Sequence, residues 1–247
     1  MDIPATFGAT ARILTAAFDP TRQRVILVYS DGRVAQVGLG PLSDEPVKQL
    51  GRLANTPSES DGVLVDVAAD GGVLVASGTG RWDLFDPSSQ GVLGNDLPVP
   101  NGCTVAVDAE RRRVLRFATG KLWLADLANP KGVPRELPLF SSSDLPRIGS
   151  FSHDGRFVAV VHDNGVVGVW NLERRALIAR FGDAAEQLLL PGFSLEGGEV
   201  TVAAADGSVY EWPVYSPAEL RLAIERSLPA GLSADDKKRI LELRYKQ

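Results

Sequence analysis

Short apolar runs separated by glycine turns recur along the whole chain. The segment 148–171 shows the unit clearly. An apolar run over 148–151 ends at His153-Asp154-Gly155, a second over 157–161 ends at Asp163-Asn164-Gly165, and a third over 166–170 ends at Asn171. Glycine enters positive φ without a steric penalty, so Asp-Gly and Asn-Gly between β-rich runs signal hairpins. Phe, Val and Trp suit a pleated, half-buried surface. The pattern predicts a three-stranded antiparallel meander. A sheet this small is marginal alone and needs neighbours.

Copies of the unit supply them. Gly32, Gly80, Gly120, Gly165 and Gly207 each open a third strand, at spacings of 48, 40, 45 and 42 residues. The second residue after each glycine is apolar: Val34, Trp82, Leu122, Val167 and Val209. So is the fifth: Val37, Phe85, Ala125, Trp170 and Trp212. The sixth is Gly38, Asp86, Asp126, Asn171 or Pro213, each a turn former. First strands keep the same register, with Phe18, Val67, Val107, Phe151 and Phe193 standing four residues before Arg22, Gly71, Arg111, Gly155 and Gly197. Middle strands start at Arg24, Val73, Arg113, Phe157 and Val200. A fourth strand is expected over 47–50, 92–97, 133–138 and 177–181, with prolines that place it at an outer edge. Four-stranded sheets at this period are the blades of a β-propeller. The expected fold is therefore all-β: a propeller of five recognisable blades over 1–215, with ring closure left open.

A short α-helical hairpin is expected over 216–247. Ser216-Pro217-Ala218-Glu219 is a capping box with proline at the first helical position. Leu220, Ile224 and Leu228 mark one helical face. A second helix opens at Ser233, with Asp235 and Asp236 in its first turn and Arg244 and Lys246 in its last, an order that suits the helix dipole. The fifth copy turns helical where a fourth strand would stand. An uncovered strand edge there would invite self-association. The helical tail, through Leu220, Ile224, Leu228, Ile240 and Leu241, is expected to cover it.

Phe151-Ser152-x-Asp154-Gly155-Arg156, the Asn164-Gly165 turn and Val169-Trp170-Asn171 together resemble a blade of the WD40 family. Phe85-Asp86 and Ala125-Asp126 stand where that family has its Trp-Asp pair. The resemblance spans roughly 10–215. The family's Gly-His pair before the first strand is absent, so its buried Asp–His–Ser–Trp hydrogen-bond set is not expected. The tail phrase over 223–243 resembles the helical end of WD-repeat regions in bacterial signalling proteins. The resemblance implies a non-enzymatic scaffold for protein–protein interaction or sensing, in a bacterial signalling setting.

Composition narrows the function further. The 247 residues are 44% hydrophobic and 23% charged, ordinary for a soluble globular chain. A net charge of −5 without a long basic run argues against nucleic acid and anionic membrane as partners. The single cysteine, Cys103, excludes an intrachain disulfide and a cysteine-cluster zinc site. No secretory n-region and h-region is visible and no membrane-spanning run, so a cytoplasmic protein is expected. No phosphate loop, His-Glu-x-x-His or G-x-S-x-G elbow occurs, and no catalytic, cofactor or metal site is expected.

The expected contact face carries the strand 2–3 turns: Asp31, Thr79, Thr119, His162, Asp163, Asn164 and Asp206, with the loops 53–60 and 141–144. Trp170 and Trp212 are expected in the core, and Trp123, on the alternate face of its strand, to be exposed. His153-Asp154 and Arg111-Arg112-Arg113 read as solvated turns. Two alternatives stay open. A hydrolase or lactonase propeller would need Asp66, Asn101 and Asp144 to converge on a central channel around a metal. A partial propeller would be completed by another chain.

Overall fold

The computed structural model describes residues 11–19, 22–39, 47–54, 56, 62–77, 81–85, 92–96, 102–129, 131–139, 145–182, 187–194 and 198–214. The expected helical tail lies outside them. The described residues form nineteen strands in five antiparallel sheets, each sheet in chain order. Blade 1 holds β1 (Ile13–Asp19), β2 (Arg24–Tyr29), β3 (Arg33–Gly38) and β4 (Lys48–Arg52). Blade 2 holds β5 (Val63–Val67), β6 (Val73–Ser77), β7 (Arg81–Phe85) and β8 (Val92–Asp96). Blade 3 holds β9 (Cys103–Asp108), β10 (Arg113–Ala118), β11 (Lys121–Asp126) and β12 (Arg135–Leu137). Blade 4 holds β13 (Pro146–Phe151), β14 (Phe157–His162), β15 (Val167–Asn171) and β16 (Ala176–Phe181). Blade 5 has three strands, β17 (Leu188–Phe193), β18 (Glu199–Ala204) and β19 (Val209–Pro213). First strands of successive blades lie side by side.

The repeat extends to strand register. The fifth-position residue of each third strand faces a valine of the middle strand: Val25↔Val37, Val73↔Phe85, Val114↔Ala125, Val158↔Trp170 and Val200↔Trp212. Such apolar cross-strand pairs stabilise a sheet. One-residue slippage would send every side chain to the wrong face. Blade 3 differs slightly from expectation: its outer strand is only three residues long, and Val133 lies before it, 90% exposed.

The two repeat positions point in opposite directions because strand side chains alternate between faces. Second-position residues pack toward the following blade. Val34 joins Val63, Val73 and Val75 of blade 2, and Trp82 joins Ala109 and Val114 of blade 3. Leu122 joins Val158 and Val160 of blade 4, and Val167 joins Val200 and Val202 of blade 5. Fifth-position residues point back: Phe85 toward blade 1, Ala125 toward blade 2, Trp170 toward blade 3 and Trp212 toward blade 4. Trp170 is fully buried, and its Nε1 donates to the Pro138 carbonyl of blade 3 at 2.7 Å. Trp212 is only half-buried, stacked between Phe181 and Tyr210. Trp123 is also half-buried, packed on the blade 2–blade 3 core instead of standing exposed. Val209, the second-position residue of blade 5, is 62% exposed. Among the described residues no core cluster joins blade 5 to blade 1.

Polar links span the blades at the rim of the strand 1–2 turns. Asp19 is buried and accepts from Arg24 Nε at 2.8 Å, while Arg24 Nη2 donates to the Gly71 carbonyl of blade 2 at 3.2 Å. Blade 3 repeats the device. Asp108 is buried and accepts from Arg113 Nε at 3.1 Å, and Arg113 Nη2 donates to the Gly155 carbonyl of blade 4 at 3.0 Å. The Arg113 guanidinium also lies over the Phe151 ring of blade 4, 5.2 Å from its centroid. Gly155, at φ +67°, sits so close under Arg111 and Arg113 that a Cβ would lie 2.2 Å from Arg111 Nε. Blades 2 and 3 exchange backbone bonds instead. Asp66 Oδ2 accepts the Ala109 N–H and Glu110 Oε2 accepts the Ala69 N–H, both at 2.7 Å. The Arg111-Arg112-Arg113 turn is thus not simply solvated. Arg113 is an interblade latch, because its fork can satisfy a buried carboxylate and reach a carbonyl at once.

Two outcomes are expected from this packing. Trp170→Ala should destabilise the fold by about 3–5 kcal/mol, as aromatic truncations in cores do, read from denaturant unfolding. Asp108→Ala should cost about 3–5 kcal/mol, because it leaves the recessed Arg113 guanidinium uncompensated. Adding Arg113→Met to that variant should recover part of the loss, and a double-mutant cycle would show the coupling.

Candidate interaction surface

Antiparallel order places the strand 2–3 turns on one rim and the strand 1–2 and 3–4 turns on the other. Asp31, Thr119, Asn164 and Asp206 therefore share the first rim. Thr79, the segment 141–144 and most of 53–60 lie outside the described residues.

Three of these side chains close their own turns. Asp31 Oδ1 accepts the Arg33 N–H at 3.1 Å, Asn164 Oδ1 accepts the Val166 N–H at 3.1 Å, and Asp206 Oδ1 accepts the Ser208 N–H at 2.8 Å. Each is an Asx turn spanning a positive-φ glycine: Gly32, Gly165 or Gly207. The polarity that marks these positions in sequence thus has a local structural use, and one oxygen of each turn residue is committed to it. Arg33 Nε adds a 2.6 Å bond to Asp31 Oδ2, and its guanidinium lies over the Tyr29 ring. Burial alone would push the Asp31 carboxyl up. The Arg33 N–H and guanidinium outweigh it and hold the carboxyl below its usual range. Asp206 is held low chiefly by the Ser208 N–H and hydroxyl.

The remaining rim residues divide. Asp163 is exposed and pairs with Arg147 at 3.3 Å. Thr119 adopts φ +51° and donates its hydroxyl to the Ala118 carbonyl at 2.7 Å. Beside it Lys121 Nζ lies over the Trp123 ring, 5.7 Å from its centroid, an aromatic–cation pair that the turn signals alone did not reveal. His162 departs from expectation. It is 1% exposed, with its ring 5.9 Å from that of Trp170, so its side chain is not offered to a partner. The last residue of β14 belongs to a strand buried along its length, and the turn begins only after it.

No protein-family model matches this sequence, and no curated protein matches it either. The fold does have solved relatives. One is the β-propeller domain of Cps50 (Swd1) from Myceliophteria thermophila, with a TM-score of 0.65 at 13% identity over 91% of this chain and 70% of that one. The fold is a β-propeller. At that identity the likeness concerns architecture alone.

The propeller gathers no three His, Cys, Asp or Glu side chains for a metal among its described residues. Asp66, which an enzymatic channel would have needed, turns instead to the Ala109 N–H of the next blade; Asn101 and Asp144 lie outside the described residues. Burial raises the Asp66 carboxyl above its ordinary range, against the Ala109 and Val67 N–H bonds and with help from Asp108 and Glu110. A raised carboxyl favours the protonated folded state. Its contribution to stability is complete below the unfolded value of about 4 and is lost as pH rises through the raised folded value. Asp66→Asn should therefore gain stability relative to the parent as pH rises through that window, with melting midpoints across a pH series as the check. Asp31→Asn should keep its turn and its stability, whereas Asp31→Lys should lose about 1 kcal/mol with the Asx bond.

Proposed function

We propose that this chain is a non-enzymatic scaffold whose strand 2–3 rim holds a protein partner, in the cytoplasm and within a bacterial signalling system. The WD40-type fold, a typical interaction scaffold, supports the general role. The observation that carries the choice of rim is that Asp31, Asn164 and Asp206 sit in self-closed turns. Their polar groups are held in place by bonds inside the turn. A rigid scaffold with locally closed loops can vary its contacts without disturbing its core. The resemblance of the tail phrase is the support for the signalling setting.

The test uses substitutions that remove charge and keep the turns. The triple variant Asp31→Asn, Asp163→Asn, Asp206→Asn should lose a partner that copurifies with the parent while its melting temperature stays within a few degrees. The Asp163–Arg147 pair is exposed on both sides and contributes little. Undiminished copurification by a folded triple variant would defeat the reading of this rim.

A second reading, a propeller completed by another chain, is favoured by Val209. Its equivalents Val34, Trp82, Leu122 and Val167 are 0–6% exposed against a following blade, while Val209 is 62% exposed. Val209→Glu should then abolish any self-assembly seen by light scattering of the full chain. If the parent is monomeric at every concentration and captures no blade-bearing partner, that reading fails.

A further inference from the structure

The opposite rim holds a feature that the scaffold does not need. Three turns there follow one pattern: an Asx side chain accepts the N–H of the residue three positions on, and the next residue is left-handed. Asp19 accepts from Arg22 N at 3.2 Å with Gln23 at φ +46°, Asp108 from Arg111 N at 3.0 Å with Arg112 at +50°, and Asn171 from Arg174 N at 2.8 Å with Arg175 at +53°. Glycine or asparagine is the usual occupant of such a position. In blades 3 and 4 it is the last residue of a Glu-Arg-Arg triplet, 110–112 and 173–175. Strained non-glycine positions are a starting point for a functional hypothesis.

These arginines lie on one continuous surface. The Arg112 carbonyl accepts the Leu127 N–H at 2.7 Å, tying the strand 1–2 and 3–4 turns of blade 3 together. The Arg156 carbonyl accepts the Leu172 N–H at 2.8 Å and does the same in blade 4. The Arg113 latch to Gly155 joins the two blades. Arg112, Arg174 and Arg175 are exposed, and none of the three makes an ion pair among the described residues. The nearby acids are engaged: Glu110 with the Ala69 N–H, Asp126 with the Ala128 N–H, and Asp154 with Arg156. Glu173 is left as one opposing charge.

We propose that the rim of the strand 1–2 and 3–4 turns in blades 3 and 4 docks an acidic peptide segment of a protein partner, through the guanidinium groups of Arg112, Arg174 and Arg175. Planar guanidinium groups match carboxylates in a two-bond geometry that lysine lacks. A peptide fits better than a nucleic acid: the patch is confined to two blades and is interrupted by Asp126, Asp154 and Glu173, which suits a short segment better than an extended polyanion. This surface does not depend on the reading of the opposite rim.

The left-handed backbone provides the test. Arg112→Gly with Arg175→Gly suits the observed φ, so the double variant should melt no lower than the parent. A fluorescein-labelled peptide of alternating Asp and Glu should bind the full chain at low salt, weaken as salt is added, and weaken about tenfold in the double variant. The rim variant Asp31→Asn, Asp206→Asn should bind it like the parent. Absence of peptide binding at low salt, or equal binding by a folded double variant, would overturn the proposal. So would a single-stranded oligonucleotide that binds more tightly than the peptide and loses affinity in the same variant, which would make the ligand a nucleic acid.

Discussion

Every blade of this molecule is a thin sheet with two apolar faces, and both must be covered. That constraint explains the third strands. In β15 the side chains alternate direction, yet Val167, Val169 and Trp170 are all fully buried, because blade 5 lies on one side and blade 3 on the other. A half-buried sheet would show polar residues at every second position, whereas a sheet covered on both faces reads as a nearly continuous apolar run. The same logic makes the ends of the array different. Among the described residues, Leu27, Tyr29 and Ala35 on the far side of blade 1 are buried in a separate cluster with Val25, Val37 and Val47, whereas Val209 on the far side of blade 5 meets no following blade and is exposed.

With the faces given mostly to apolar contacts, apart from buried Asp83 and Arg116 inside β7 and β10, polar contacts gather at the two rims, and the rims use them differently. On the strand 2–3 rim each Asx turn satisfies its own backbone. On the strand 1–2 rim the carboxylates of Asp19 and Asp108 are buried, and their arginines reach the next blade's backbone at Gly71 and Gly155. Glycine suits these points because both are left-handed, at φ +91° for Gly71 and +67° for Gly155, and at Gly155 a Cβ would also crowd Arg111 and Arg113. The strand 1–2 rim thus contributes arginine latches between blades; the strand 2–3 rim has an interblade bond from Thr104 Oγ1 to the Ser77 carbonyl at 2.9 Å, but its Asx turn residues can change at small cost to the fold. This asymmetry underlies the choice of contact face.

Most of the fold was legible in sequence, since period, turn chemistry and register all follow from local patterns. The two landmarks per blade predicted first, middle and third strands in all five copies, and the valine opposite each fifth-position residue shows why they agree. The site was less legible. His162 looked like a turn residue because Asp163-Asn164-Gly165 follows it, but burial depends on the neighbouring blade, which no local window contains. The arginine run over 111–113 mixes roles within three residues: Arg113 bonds to Asp108, five residues away, and to Gly155, 42 residues away. Arg112 makes no such bond. Asp31 and Asp206 are candidate contacts because they stand on the strand 2–3 turns, yet much of their polarity is explained by turn closure. Spacing can locate a turn, but it does not separate a residue that caps the turn from one that is offered to a partner.

Charge shows the same limit of averaging. A net charge of −5 argues against a polyanionic partner only if the charges are mixed evenly over the surface. Here they form small local groups. Asp31, Asp163 and Asp206 share one rim with Arg33, Lys121 and Arg147, while Arg112, Arg174 and Arg175 share the other with Glu110, Asp126, Asp154 and Glu173. At physiological salt, screening acts over about 8 Å, so an approaching segment responds to the rim it meets and only weakly to the far side of the molecule. Glycine would relieve the backbone at two of these arginine positions, yet in this sequence arginine occupies both. The positive φ belongs to the turn, as it does at Gln23 in blade 1, and at Arg112 it aims a carbonyl at the Leu127 N–H, so the fold fixes the backbone and leaves the guanidinium groups without an ion pair among the described residues. A partner segment would therefore meet these cationic side chains on a backbone that the turns have already set, with little ordering left to do on this side.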